Sequence, residues 1–122
     1  MRPINVVLAH HDPELAQGLA DALRPHFRKV LIAGSLAETE SLIARFRAKF
    51  VIADLELLSQ SELKSLCSEF PATGVACVHR LADEIMWSEV LSAGAVDCCL
   101  PSDVRGILLA SEKYVAGMAA AA

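Results

Sequence analysis

Five short apolar runs, at residues 4–9, 30–33, 50–55, 75–78 and 96–100, constrain this chain more than any other feature. They lean on Val and Ile and are apolar at both alternating positions. A strand that faces solvent on one side alternates apolar with polar residues. A strand covered on both faces does not. Between the runs lie stretches of helical length, at 13–23, 36–49, 61–70, 82–93 and 102–116. Asp12 suits the N-cap of the first, with Pro13 as its first helical residue. Ser35 suits the cap of the second, whose Leu36, Leu42, Ile43 and Phe46 form one apolar stripe. Pro71 closes the third, Gly94 stops the fourth, and Asp103 places negative charge at the start of the fifth. Strand and helix alternating five times predict an α/β fold, a doubly wound five-stranded parallel sheet with right-handed crossovers.

Length and charge narrow the function. The 122 residues suit one domain spanning 1–122, and the run Met-Ala-Ala-Ala-Ala after residue 117 reads as either a frayed helix end or the start of a linker. Eleven basic and fifteen acidic side chains leave a net charge of −4, a poor basis for direct nucleic-acid binding. No stretch approaches the roughly 18 apolar residues of a membrane helix. The first apolar run is too short for a signal peptide, so a cytoplasmic location is expected. Cys67, Cys77, Cys98 and Cys99 form no CxxC pair and are expected to be reduced, buried thiols. Glycine-rich phosphate loops, Gly-x-Ser-x-Gly elbows and HExxH are absent, which disfavours an enzyme.

In a parallel α/β sheet, ligands bind beyond the carboxyl ends of the strands. Those ends carry His10, His11 and Asp12 after the first run, Asp54 and Glu56 after the third, His79 and Arg80 after the fourth, and Leu100 and Pro101 after the fifth. Two or three imidazoles beside a carboxylate suit a borderline metal such as Zn²⁺, with His11, Asp54 and His79 as the candidate ligands. They equally suit a pH-responsive cluster of His10, His11, Asp54 and His79. Neighbouring strand residues point to opposite sides, so His10 and His11 are not expected to aim inward together. Trp87 is either core or part of an interaction face.

Three segments in register carry a family resemblance: Val-Val-Leu-Ala-His-His-Asp-Pro-Glu-Leu at 6–15, Phe-Val-Ile-Ala-Asp-Leu-Glu-Leu-Leu at 50–58, and Ala-Gly-Ala-Val-Asp-Cys-Cys-Leu at 93–100. The chain resembles the receiver domain of bacterial two-component response regulators over nearly its whole length. The stretch around Leu108-Leu109-Ala110 and Val115-Ala116-Gly117 is similar to receivers that precede helix-turn-helix output domains. The resemblance implies a flavodoxin-like, CheY-like (βα)5 sheet of order 2-1-3-4-5 and a phospho-acceptor at Asp54. It also implies a departure at most other site positions. The acidic pair that would hold Mg²⁺ falls on His10 and His11, with Asp12 adjacent. The switch positions fall on His79 and Cys98, and the lysine that pairs with the phosphoryl group falls on Pro101.

The expectation is therefore an atypical, degenerate receiver. It would act by binding a protein partner or forming a homodimer, with weak or no aspartyl phosphorylation and no cofactor. Its output domain would be absent from this chain or supplied by a partner, and the face around Trp87 is a candidate contact. The alternative is a conventional receiver, phosphorylated on Asp54 by a histidine kinase, with Mg²⁺ held through Asp12 and Glu56.

Overall fold

The computed structural model describes the backbone of residues 2–121 and the side chains of residues 3–114. The elements alternate in chain order: β1 (Arg2–Ala9), α1 (Pro13–Leu23), β2 (Phe27–Ala33), α2 (Leu36–Phe46), β3 (Phe50–Asp54), α3 (Gln60–Glu69), β4 (Gly74–Val78), α4 (Glu84–Ala93), β5 (Asp97–Cys99) and α5 (Val104–Ala121). One short 3-10 turn, Arg24–His26, links α1 to β2. The five strands run parallel in the order β2-β1-β3-β4-β5. This is the order expected from the sequence.

The apolar character of the strands on both faces follows from two separate cores. Val6 and Leu8 of β1, Phe50 and Ile52 of β3, and Ala76 and Val78 of β4 point to one face, where α1 and α5 cover them with Leu19, Leu23 and Ile107. Val7, Val51, Ala53, Val75 and Cys77 point to the other, under Ile43 of α2, Leu63 and Leu66 of α3, and Val90 of α4. The period of two distributes one continuous apolar run between two cores.

Most boundaries shift by a residue or two from the expected ones, and the caps give the reasons. α2 stops at Phe46, short of residue 49, because Arg47 takes the left-handed conformation at φ 51°. α3 begins earlier because Ser59 and Glu62 form a reciprocal capping box. α4 begins later because the Asp83 side chain accepts from Met86 N–H. β2 is longer than expected, since Phe27 is itself core. β5 is shorter, at three residues. α5 continues through residues 118–121, in keeping with the helix-end reading of that run.

Gly94 closes α4 at φ +110°, a conformation that other residues rarely adopt. A Cβ there would lie 2.9 Å from Cys67 Cβ of α3. Gly94→Ala therefore combines backbone strain with a clash between α3 and α4. It should lower the unfolding free energy by about 1–3 kcal/mol in a urea titration. An unchanged midpoint would contradict this packing.

Candidate functional site

The register of β1 and β3 builds the site. Ala9 pairs with Ala53, so Asp54 at the end of β3 lies level with His10, where β1 has ended. Asp54 is 3% exposed, and both oxygens of its carboxylate accept from its own chain. Oδ2 accepts from the His11 backbone N–H at 3.0 Å and from His11 Nδ1. Oδ1 accepts from the Glu56 N–H at 2.9 Å. The other nitrogen of the His11 ring, Nε2, lies 3.2 Å from Glu56 Oε2. Glu56 Oε1 in turn meets Arg80 Nη2 at 2.8 Å. Ionised carboxylate oxygens only accept, so a ring placed between two of them gains most with a proton on both nitrogens. His11 thus sits between Asp54 and Glu56, an arrangement that favours the protonated ring.

His10 plays a different part. Its Nδ1 accepts from the Asp12 N–H at 3.0 Å and lies 3.6 Å from Asp54 Oδ2. Its ring stacks on His11, with centroids 5.0 Å apart and planes at 16°. Both histidines turn toward Asp54, against the expectation from strand alternation. The reason is that β1 ends at Ala9, so the pleat no longer governs residues 10 and 11. Asp12 does not enter the site. Its Oδ1 caps α1, accepting from the N–H groups of Glu14 at 2.9 Å and Leu15 at 3.3 Å.

The contacts set the charge states. Burial alone would raise the Asp54 carboxyl, but the His11 ring and the N–H groups of His11 and Glu56 outweigh it, and its pKa lies below the ordinary value. The hydrogen bond to Asp54 raises His11 above its ordinary 6.5, with Glu56 and Asp12 adding to it. The two shifts act over opposite limits of pH. The stability that His11 contributes is complete below its unfolded pKa, about 6.5, and is lost as pH rises through the raised folded value. The stability from Asp54 is present above about 3.9 and is lost as pH falls through its lowered folded value. The difference in melting temperature between wild type and His11→Gln should therefore be largest between about pH 4 and 6.5 and shrink on either side. In an NMR titration, the His11 ring should titrate above its ordinary value and return toward it in Asp54→Asn. A pH-independent difference would contradict this arrangement.

The remaining candidates lie apart from this cluster. His79 is half-buried, and its Nδ1 accepts from the Leu81 N–H at 3.0 Å. The group of metal-ligating side chains that converges among the described residues is His10, His11 and Asp54, with ligand atoms within 4.8 Å of one another. His10 replaces His79 in the expected set. Pro101 lies over the site and lines the small pocket above Asp54. Trp87 is neither fully core nor free. It is 47% exposed, and its Nε1 donates to Asp97 Oδ1 at 3.1 Å. Cys77 and Cys99 are buried, while Cys67 and Cys98 are half-buried, short of the expected burial. Burial raises all four thiols, Cys99 to about 12, which keeps them protonated and poor nucleophiles. The sequence had given Glu56 and Arg80 no place in the leading reading. A basic side chain and an acidic one at adjoining strand ends were the available signal.

No family model and no curated protein sequence matches the chain. Solved structures do match it. A LuxR-family two-component response regulator from Aurantimonas superimposes with a TM-score of 0.81 at 19% identity, covering 94% of this chain and 86% of its own. The chain has the receiver fold. A response regulator from Thermotoga maritima gives a TM-score of 0.79 at 24% identity, covering 95% of this chain and 99% of that one. The receiver domain of a Francisella response regulator gives 0.79 at 19%, covering 93% and 98%.

Among the described residues, no helix is long and apolar enough to cross a membrane. The receiver fold implies Mg²⁺ beside Asp54, and the residues present do not fit it. Mg²⁺ requires near-octahedral oxygen ligands. Imidazoles occupy the two positions expected to be acidic, and His11 already neutralises Asp54. Glu56 is held by His11 and Arg80, and Asp12 caps α1.

Proposed function

We infer that the chain is a signal-transduction module of receiver type that acts by associating with a protein partner or a second copy, not through a stable aspartyl phosphate. The observation that carries this reading is the His11 ring held on the Asp54 carboxylate by its own chain. Phosphoryl transfer to a carboxylate depends on a free nucleophilic oxygen and on cations that neutralise the equatorial oxygens. Here one oxygen of Asp54 holds two donors and the other holds one. At the position of the phosphoryl-pairing lysine, Pro101 has neither a charged side chain nor a backbone N–H.

An association role draws on the face around α4. Leu81, in the turn before α4, and Ile85 on α4 are 68% and 72% exposed, and Trp87 of α4 leaves about half its surface free. A regulatory domain of this kind is not an enzyme. Its kinase, if it has one, would meet a site that resists the transfer.

Sedimentation velocity over a range of concentrations tests the reading. The distribution should be the same with and without a small phosphoryl donor and Mg²⁺. A donor-dependent shift that Asp54→Asn abolishes would establish a conventional receiver instead. A second reading, a metal-responsive cluster, rests on the convergence of His10, His11 and Asp54. Zn²⁺ retained through dialysis by wild type and lost by His11→Ala would favour it.

A further inference from the structure

A cavity of about 530 Å³ opens between α1 and the turn from β5 into α5, and shares His10, Leu15, Arg80 and Pro101 with the pocket above Asp54. Its size falls within the range of small-molecule sites, roughly 300–1,000 Å³. Leu15, Leu19, Pro101 and Val104 supply apolar walls. Gly18 supplies the space. It sits mid-helix on α1, where glycine is a poor choice, and a Cβ built on it meets no atom within 4 Å. An ordinary helix former would fit at that position and would narrow the cavity.

The polar end of the cavity is specific. His10 is 5% exposed and lines the cavity. Its Nδ1 accepts from Asp12 N–H, so its ring proton is on Nε2. Among the described residues Nε2 has no acceptor. It is not sealed either, since among the described residues Asn5 Oδ1 is the one fully enclosed side-chain nitrogen or oxygen without a partner. Nε2–H is therefore open to the cavity, where an acceptor on a ligand would take the place of water. Arg80 lines the same end. Its side chain is 76% exposed, and among the described residues Glu56 is its one charged partner. Glu14 on the rim opposes a second negative charge.

We propose that this cavity binds a small monocarboxylate with an apolar body. The carboxylate accepts from His10 Nε2–H and pairs with Arg80, and the apolar part lies between α1 and α5 over Gly18. The proposal stands on the cavity and holds whether or not Asp54 is phosphorylated.

The test titrates phenylbutyrate, and its neutral analogue phenylbutyramide, into the full chain by two-dimensional amide NMR. Phenylbutyrate should bind saturably and shift the amides of α1 and of residues 102–104. The amide should bind about tenfold more weakly, the loss expected for a charge-assisted hydrogen bond. Gly18→Leu should keep the fold, shown by an unchanged or higher melting temperature, and should abolish the shifts. Arg80→Gln should weaken the acid and leave the amide unchanged. No saturable shift with either probe, equal binding of acid and amide, or retained binding in a folded Gly18→Leu protein would each overturn the proposal.

Discussion

The triple variant His10→Asp, His11→Asp, Pro101→Lys is expected to gain phosphorylation on Asp54 from a small phosphoryl donor at least about 100-fold faster than wild type. That is the scale on which removing or restoring one charge-stabilising group alters such a transfer. The substitutions remove the His11 ring that occupies Asp54 Oδ2 and supply oxygen ligands for Mg²⁺. They also place a cation where Pro101 offers none. A second readout separates restored chemistry from mere exposure of Asp54. Three carboxylates crowded at the strand ends repel one another without a cation. Mg²⁺ should therefore raise the melting temperature of the variant and leave that of wild type unchanged. A folded variant that stays unmodified and ignores Mg²⁺ would show that the His10 and His11 positions are not what disables the site.

Phe50→Ala should cost about 3–5 kcal/mol of unfolding free energy. Phe50 is fully buried on the central strand β3, in the core under α1 and α5, with the Tyr114 ring 6.3 Å away, centroid to centroid. Removing its ring leaves a hole that flanking strands, fixed by hydrogen bonds on both sides of β3, cannot collapse to fill. Against a total stability of about 5–15 kcal/mol, this is a large fraction. Phe50→Leu keeps most of the volume and should cost less than about 1.5 kcal/mol. A loss under about 1 kcal/mol for the alanine variant would contradict the packing described for this core.

The architecture was legible because its physical signal is strong and local. Strands such as 50–54, apolar at every position but the last, need cover on both faces, and only a few sheet arrangements provide it. Asp54 at the end of such a strand was legible for the same reason. A polar residue that breaks an apolar run marks where the strand leaves the core. The Asp12 cap was legible from Asp-Pro, and the structure keeps it there, away from the site.

What the sequence left hidden depends on geometry just past an element's end. Alternation predicts opposite faces for His10 and His11, yet the chain leaves the pleat at Ala9 and both rings stack toward Asp54. The left-handed turn at Arg47 has no glycine or asparagine to announce it. The Ser59–Glu62 capping box was present in the sequence, and reading it would have set the start of α3 correctly. The chain of contacts from His11 through Glu56 to Arg80 joins residues from three strand ends, and no spacing along the chain reveals it.

The most direct measurement is the intact mass of the wild-type chain after incubation with excess small phosphoryl donor and Mg²⁺, with Asp54→Asn alongside. The expected result is an unmodified mass for both proteins. A phosphoryl adduct on wild type that is missing from Asp54→Asn would contradict the central claim, because it would show that the His11 ring does not keep Asp54 from the transfer.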